Sequence, residues 1–429
     1  MKKAFYLAPV FVAMLGLVGC DKQEEKTTIE FMHSWVEQDR QMVVASLIKK
    51  FEAAHPEITV KQVPVEEDAY NTKVITLASS GKLPEVLEVS HDYAKVMDKD
   101  HLIDREAVGQ VISDVGADNY QEGILRIVRT EDGTSYTGSP INAWMQGIWY
   151  SKQALAQQGI AEPKNWQELS HAAQTLNNPA NKKFGIALPT AESVMSEQVF
   201  SQFALSNGAN VFNADGGITL DTPQMREALS FYQQLAKSSM PGSNDVMEIR
   251  DAFMNGTVPM AFYSTYMLPS IYAEGKAADL GFVLPSQKSS VVYGNVVSLT
   301  ISSGLEEAEK SAAKEFVEFI EQPENAAELV LMSPGALLPA IKSVAKVEAY
   351  QNNEVVKTFA PLLTELSGEF KNLQAFGSVG DKNFTSMGDV TSSGALAEMV
   401  NQATVDNKSV EELIPVAQKK IEGMMAKRQ

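Results

Sequence analysis

The stretch Thr28-Ile29-Glu30-Phe31-Met32-His33-Ser34-Trp35 opens with the polar–apolar alternation of a β-strand. Val43, Val44, Leu47, Ile48 and Phe51 then recur at helical spacing on one face, and Ile58-Thr59-Val60 starts a second strand. That order is a β-α-β unit. Working outward, residues 69–80 read as a second helix closed by Gly81, and Val86-Leu87-Glu88-Val89 as a third strand, so the opening hundred residues predict a doubly wound sheet. In such sheets a ligand sits beyond the carboxyl ends of the strands. Those ends are His33-Ser34-Trp35 and Ser90-His91-Asp92.

Farther along, a strand around Gly147 to Trp149 leads into a helix ending at Gly159, and Asn165 with Glu168 makes a capping box for the next helix. Thr222-Pro223 is a further helix start. Residues 282–301 are rich in valine, glycine and serine and read as extended chain. They precede a helix over 306–321 with Phe316, Val317 and Ile320 inward, stopped by Gln322-Pro323. The last forty residues are helical by pattern. No repeat of fixed period and no long low-complexity linker appears.

The chain has 429 residues, 44% apolar and 21% charged, which suits a globular protein with room for two cores and excludes disorder and a multi-span membrane fold. A net charge of −18 with no basic run makes nucleic acid a poor partner. Its single cysteine, Cys20, rules out a disulfide framework, and the five histidines are scattered, so no metal motif is expected.

Lys2 and Lys3 precede an apolar stretch over residues 4–19, broken by Pro9 and followed by Cys20. It falls short of the roughly 20 apolar residues that cross a bilayer and reads as a secretory signal peptide. Leu17-Val18-Gly19-Cys20 resembles the lipobox of bacterial lipoproteins, in which the cysteine is lipidated and becomes the mature N-terminus. The expectation is a signal peptide over 1–19, a lipidated tether over 20–27, and attachment to the outer face of the cytoplasmic membrane without crossing it. Asp21 resembles the signal that retains lipoproteins at the inner membrane of enteric bacteria.

The spacings that catalysis demands are missing: no His-Glu-x-x-His, no Gly-x-Ser-x-Gly, no phosphate loop, no Gly-x-Gly-x-x-Gly and no EF-hand loop. A glycosidase needs only two facing carboxylates, and 54 acidic residues leave that class open. Gly377-Ser378-Val379-Gly380 reads as a flexible loop beside Phe376 and not as a nucleophile turn.

Several motifs resemble one family. Phe51-Glu52-Ala53-Ala54-His55-Pro56-Glu57-Ile58-Thr59-Val60 is similar to its first helix running into its second strand, and Ala78-Ser79-Ser80-Gly81-Lys82-Leu83-Pro84-Glu85-Val86 to the segment that follows. Trp149-Tyr150-Ser151-Lys152, Gly159-Ile160 and Pro163-Lys164-Asn165-Trp166-Gln167-Glu168-Leu169 match its most specific signature. Phe253-Met254-Asn255-Gly256, Pro259-Met260-Ala261, Ala312-Ala313-Lys314-Glu315-Phe316 and Gln322-Pro323-Glu324 resemble later landmarks. In order and over most of the chain, these resemble family 1 extracellular solute-binding proteins, the receptors of ABC importers for sugars and glycerol phosphates.

The resemblance implies an α/β, two-lobed periplasmic binding protein fold of class II type, with hinge strands between lobes that close on a solute. Residues 28–138 with 295–332 are expected to form one lobe, and 139–294 with 333–425 the other. It implies no catalysis and no cofactor, a monomer in the periplasm, and the permease subunits as partners.

A saccharide needs aromatic plates for its C–H faces and polar side chains for its hydroxyls. The candidates are His33, Ser34, Trp35, Glu37, Tyr70, His91, Asp92, Asn142, Trp144, Tyr263, Tyr266, Gly294 and Asn295. Trp144 and Tyr263 serve equally well as core packing, and His33 and His91 as surface histidines; Trp149 and Trp166 read as core. Glycerol 3-phosphate or a diester of it is the second ligand class, since His33-Ser34 and Tyr70 also resemble the start of those receptors. Against it, Asn142-Ala143-Trp144-Met145-Gln146 replaces their Ser-Ser-Thr turn, and no arginine lies between Arg250 and Arg428. An extracellular carbohydrate-active enzyme and a structural or sensory lipoprotein are the rivals of another class.

Overall fold

The alternation and the helical spacing produce the expected unit in the computed structural model, which describes residues 26–426. Strand β1 (Thr27–His33) leads through the helix Gln38–Ala54, which buries Val44, Leu47, Ile48 and Phe51, into β2 (Ile58–Pro64). β1 pairs with β2 in parallel along its whole length, from Thr27 opposite Ile58 to His33 opposite Pro64. Its other edge takes β3 (Val86–Ser90), also parallel. A parallel pair requires a crossover, and the helix supplies it.

The remaining strands are antiparallel to their neighbours. They are β4 (Ser139–Ser151), β5 (Met260–Ser264), β6 (Leu280–Val283), β7 (Gly294–Ile301) and the short β8 (Leu338–Pro339). The spatial order is β2-β1-β3-β7-β4-β5, with β6 and β8 also on β4.

β4 serves two sheets. Ser139 to Met145 pair with β7, whereas Gln146 to Tyr150 pair with β5 and Ile148 to Ser151 with β6. Between Pro140 and Asn142 the register slips, a bulge of the kind that bends a strand. Just past it β7 comes so close that a Cβ on Gly294 would lie 2.4 Å from the Trp144 carbonyl oxygen, so only glycine fits there.

Two hydrophobic cores result. One gathers β1, β3 and the helices around them, including Phe51, Val108 and Phe316, together with side chains between Leu337 and Leu373. The other gathers Trp166, Phe203, Tyr232 and Phe262 with side chains from Phe376 to Ile421. The segment before Leu373 is tied to the first core through Gln121 N–H, which donates to the Ala340 carbonyl at 3.1 Å.

The local expectations hold with small changes. Helix Glu307–Ile320 buries Phe316, Val317 and Ile320, and a new helix, Pro323–Val330, starts at the predicted stop. Thr222 caps helix Pro223–Ala236 by accepting from Met225 N–H. Asn165 caps helix Trp166–Leu176, but Glu168 takes the Lys164 N–H instead of completing a capping box. Among the described residues no helix is long and apolar enough to cross a membrane. The expected signal peptide, the expected tether up to Glu25 and Cys20 lie outside the described residues.

Candidate functional site

The parallel strands β1, β2 and β3 all end at one cavity of about 340 Å³. Ser34, Trp35 and Glu37 follow β1, Glu66, Glu67, Tyr70 and Asn71 follow β2, and Ser90 closes β3. Asn142 and Trp144 on β4, Asn295 and Val297 on β7, and Tyr266 after β5 complete the wall. Of the thirteen candidates, Ser34, Trp35, Glu37, Tyr70, Asn142, Trp144, Tyr266 and Asn295 meet on this cavity; His33, His91, Asp92, Tyr263 and Gly294 do not.

Both histidines stand behind the wall and hold residues that form it. His33 is fully buried, accepts the Trp35 N–H at Nδ1 (3.2 Å) and stacks on the Trp35 ring with centroids 5.3 Å apart. Burial lowers its pKa to about 4, so the imidazole is neutral and free to accept. His91, also fully buried, contacts the Asn295 amide oxygen through Nδ1 at 2.9 Å. The same Nδ1 accepts the Val296 N–H at 3.3 Å and Nε2 lies 3.1 Å from Asp92 Oδ1, so His91 holds the Asn295 amide in place at the cavity.

The other displacements have equally local causes. Asp92 faces Tyr293 and Glu197 in a separate small cavity of about 30 Å³. Tyr263 is buried in β5 and its carbonyl accepts the Trp149 indole N–H at 2.9 Å. Gly294 carries the close strand approach and presents no side chain.

On the wall itself, Asn142 is 1% exposed and its amide oxygen has no hydrogen-bond partner among the described residues. A buried acceptor without a donor is costly, and a ligand hydroxyl facing it removes that cost. Trp144 leans on Tyr293 with centroids 6.0 Å apart, which sets its ring plane. Tyr70 is anchored by donating its hydroxyl to the Met32 carbonyl at 3.0 Å, and Tyr266 is the most exposed aromatic of the cavity at 38%.

Sequence reasoning missed the charged part of the site. Glu88, on β3 and only 8% exposed, accepts from Ser34 N–H and Ser34 Oγ at 2.9 and 2.8 Å, and burial raises its pKa. Its signal was a carboxylate inside an otherwise apolar strand. Glu66 and Glu67 lie at the end of β2, which the strand-end rule reaches once it is applied to that strand. Arg40 enters from the helix after β1, 3.7 Å from Glu37 and donating to Ser333 Oγ at 3.0 Å. No sequence signal links Arg40 to Ser333. The cavity therefore carries four carboxylates, Glu37, Glu66, Glu67 and Glu88, against one guanidinium.

The arrangement can stack a flat apolar face, exchange hydrogen bonds with hydroxyls and repel anions. Ser34 Oγ, held by Glu88, is a hydroxyl beside a carboxylate in the wall, and no histidine lines the cavity.

Comparison with known proteins agrees with this geometry. Residues 38–327 match the model of the bacterial extracellular solute-binding protein family. The chain is 57% identical over 427 residues, 99% of each chain, to a protein of Escherichia coli (strain K12) named as an ABC transporter periplasmic-binding protein, YcjN. The sn-glycerol-3-phosphate-binding periplasmic protein UgpB of the same strain is 24% identical over 355 residues, 76% of this chain and 77% of UgpB. In fold the chain is similar to the sugar-binding protein MalE from Xanthomonas citri, with a TM-score of 0.77 and 18% identity over 94% of this chain and 98% of that one. The fold is thus the two-lobed α/β architecture of MalE-like binding proteins. With the family model spanning more than half of its length, the chain belongs to the bacterial extracellular solute-binding protein family.

Proposed function

We propose that this chain is the solute-binding component of an ABC importer and that its cleft takes a neutral mono- or oligosaccharide. One observation carries the reading: a single cavity combines the aromatic faces of Trp35, Trp144 and Tyr266 with the unpartnered Asn142 oxygen and the His91-held amide of Asn295. Sugars offer C–H faces to the first group and hydroxyls to the second. Charge selects the neutral class. Four carboxylates surround one guanidinium already engaged by Glu37 and Ser333, whereas a phosphate dianion needs several uncommitted donors.

In this reading residues 28–138 with 295–332 belong to one lobe and 139–294 to the other, joined through β4 and β7. The stretch expected to complete the second lobe, 333–425, is divided, because side chains between Leu337 and Leu373 pack in the first core and those from Phe376 to Ile421 in the second. Ligand binding closes the lobes because the closed state alone lets both touch it. The mature chain is a periplasmic monomer, held by lipid on Cys20 at the outer face of the cytoplasmic membrane, where it meets the permease. It binds without turnover and without a cofactor.

A second reading, a receptor for glycerol 3-phosphate or a glycerophosphodiester, draws on the likeness to UgpB and on Arg40 in the cavity. A thermal-shift panel on the Cys20→Ser chain separates the two. Ligand at about 100 times its Kd adds about 2.7 kcal/mol, a rise of a few degrees. A rise with a saccharide and none with phosphates is the expected result. A rise with phosphates alone transfers the site to the second reading, and release of free sugar from a glycoside makes the protein an enzyme.

A further inference from the structure

We propose a divalent-metal site, formed by His55, Glu57 and Glu315, on the end of the first core opposite the cleft. The three side chains offer one ligand atom each, and these atoms all lie within 4.8 Å of one another. His55 Nδ1 is 3.0 Å from a Glu315 carboxylate oxygen and 3.7 Å from one of Glu57. Zinc bonds nitrogen and carboxylate oxygen at about 2.0–2.2 Å, so tetrahedral ligands around it stand about 3.4 Å apart. The two measured separations bracket that figure.

The ligands are held by the fold. His55 and Glu57 flank Pro56 in the turn between helix Gln38–Ala54 and β2, closed by Ile58 N–H donating to the His55 carbonyl at 3.0 Å. The His55 ring stacks on buried Phe51 with centroids 4.5 Å apart, which fixes its plane. Glu315 rides on helix Glu307–Ile320, whose Phe316 and Phe319 pack against the same Phe51 at 5.2 and 5.4 Å. Ser311 Oγ donates to the other Glu315 oxygen at 3.1 Å and turns the free one toward the imidazole. Such outer contacts are what orient metal ligands.

Electrostatics favours a cation there. A neutral imidazole with its proton on Nδ1 bonds one acceptor, yet two carboxylates converge on that atom. A divalent ion takes both charges and the nitrogen lone pair together, with water filling the remaining position. One imidazole with two carboxylates suits zinc and its transition-metal neighbours better than calcium. The ion would tie the start of β2 to a helix some 260 positions later in the chain. β2 has seven residues and runs from this turn to the cleft, a distance of about 20 Å, so bound metal stabilises the core without entering the ligand site.

The test is equilibrium dialysis of the untagged, full-length Cys20→Ser chain against Zn²⁺, with melting followed on the same samples. The expected result is one equivalent bound at micromolar Zn²⁺, a rise in melting temperature, and affinity at least tenfold weaker in His55→Ala and in Glu315→Gln. Glu315→Gln keeps the helix and its packing, so it reports even if His55→Ala destabilises the turn. Glu66→Gln, in the cleft, leaves the stoichiometry unchanged. Absence of binding up to millimolar Zn²⁺, equal binding in both site variants, or loss of the ion in Glu66→Gln overturns the assignment.

Discussion

The cavity formed largely between residues 338 and 368 has a volume of about 660 Å³ against about 340 Å³ for the cleft, and the two differ in chemistry the other way round. Leu338, Ile341, Tyr350, Val356 and Leu363 line the larger one. Polar groups at its edge are already paired: Gln121 donates to Ser367 Oγ at 3.0 Å and Lys342 to the Asp118 carbonyl at 2.9 Å. In the smaller one the Asn142 oxygen waits for a donor, and carboxylates and aromatic rings converge from three strand ends and the strands facing them. Volume makes room for a ligand, but unsatisfied groups aimed at a common point make a site.

The comparison is easiest to break at the residues behind the cleft. His33 titrates near 6.5 when unfolded and at about 4 in the fold, so acid charges the unfolded chain first. Its contribution is intact above pH 6.5 and erodes by about 3 kcal/mol as the pH falls to 4. Glu88, whose folded pKa is raised, acts in the opposite sense: its contribution is present in acid and lost as pH rises through that value. Denaturant melts of wild type and His33→Gln between pH 4 and 7 separate the two, and a variant with an unchanged pH slope refutes the role given to His33.

Trp144→Ala should weaken saccharide binding by about 2 kcal/mol, near thirtyfold in Kd by calorimetry, the scale of a lost aromatic anchor. Unchanged affinity removes Trp144 from the site. His91→Gln, which releases the Asn295 amide while leaving the wall in place, should cost about 1 kcal/mol, roughly fivefold in Kd. The smallest effect belongs to the other cavity. Val356→Phe fills part of it and should leave Kd within about twofold, because none of its lining groups meets the ligand. A loss comparable to that of Trp144→Ala would reverse the ranking of the two cavities.

Much of the fold was legible because its signals are local. Alternation in β1, the 3–4 spacing of Val44, Leu47, Ile48 and Phe51, and the Thr222 cap each need only a few neighbouring residues. The cleft was legible to the extent that strand ends locate it, which brought Ser34, Trp35 and Glu37 forward. Depth was not legible. His33 and Trp35 are two positions apart, and which of them faces the cavity depends on Gln62 and Phe31 around the imidazole. Arg40 escaped for a related reason, since its partner Ser333 is 293 positions away. The larger cavity had no sequence signature at all, being an accident of how helix Glu354–Glu369 lies against Leu338 and Ile341.

β4 runs without a break from one sheet into the other, and Asn142 and Trp144 ride on it beside the bulge. A side chain on an axis of rotation moves least when the bodies on either side turn. Contacts made there are nearly the same in open and closed states, and a ligand that binds both states equally shifts neither population. On the reading proposed above, Asn142 and Trp144 would set how tightly a solute is held, while the leverage for shutting would belong to cavity groups off that strand, such as Glu37, Glu66 and Tyr266. Affinity and closure would then be separable in one small cavity: a solute that touches only the strands would be held without shutting it.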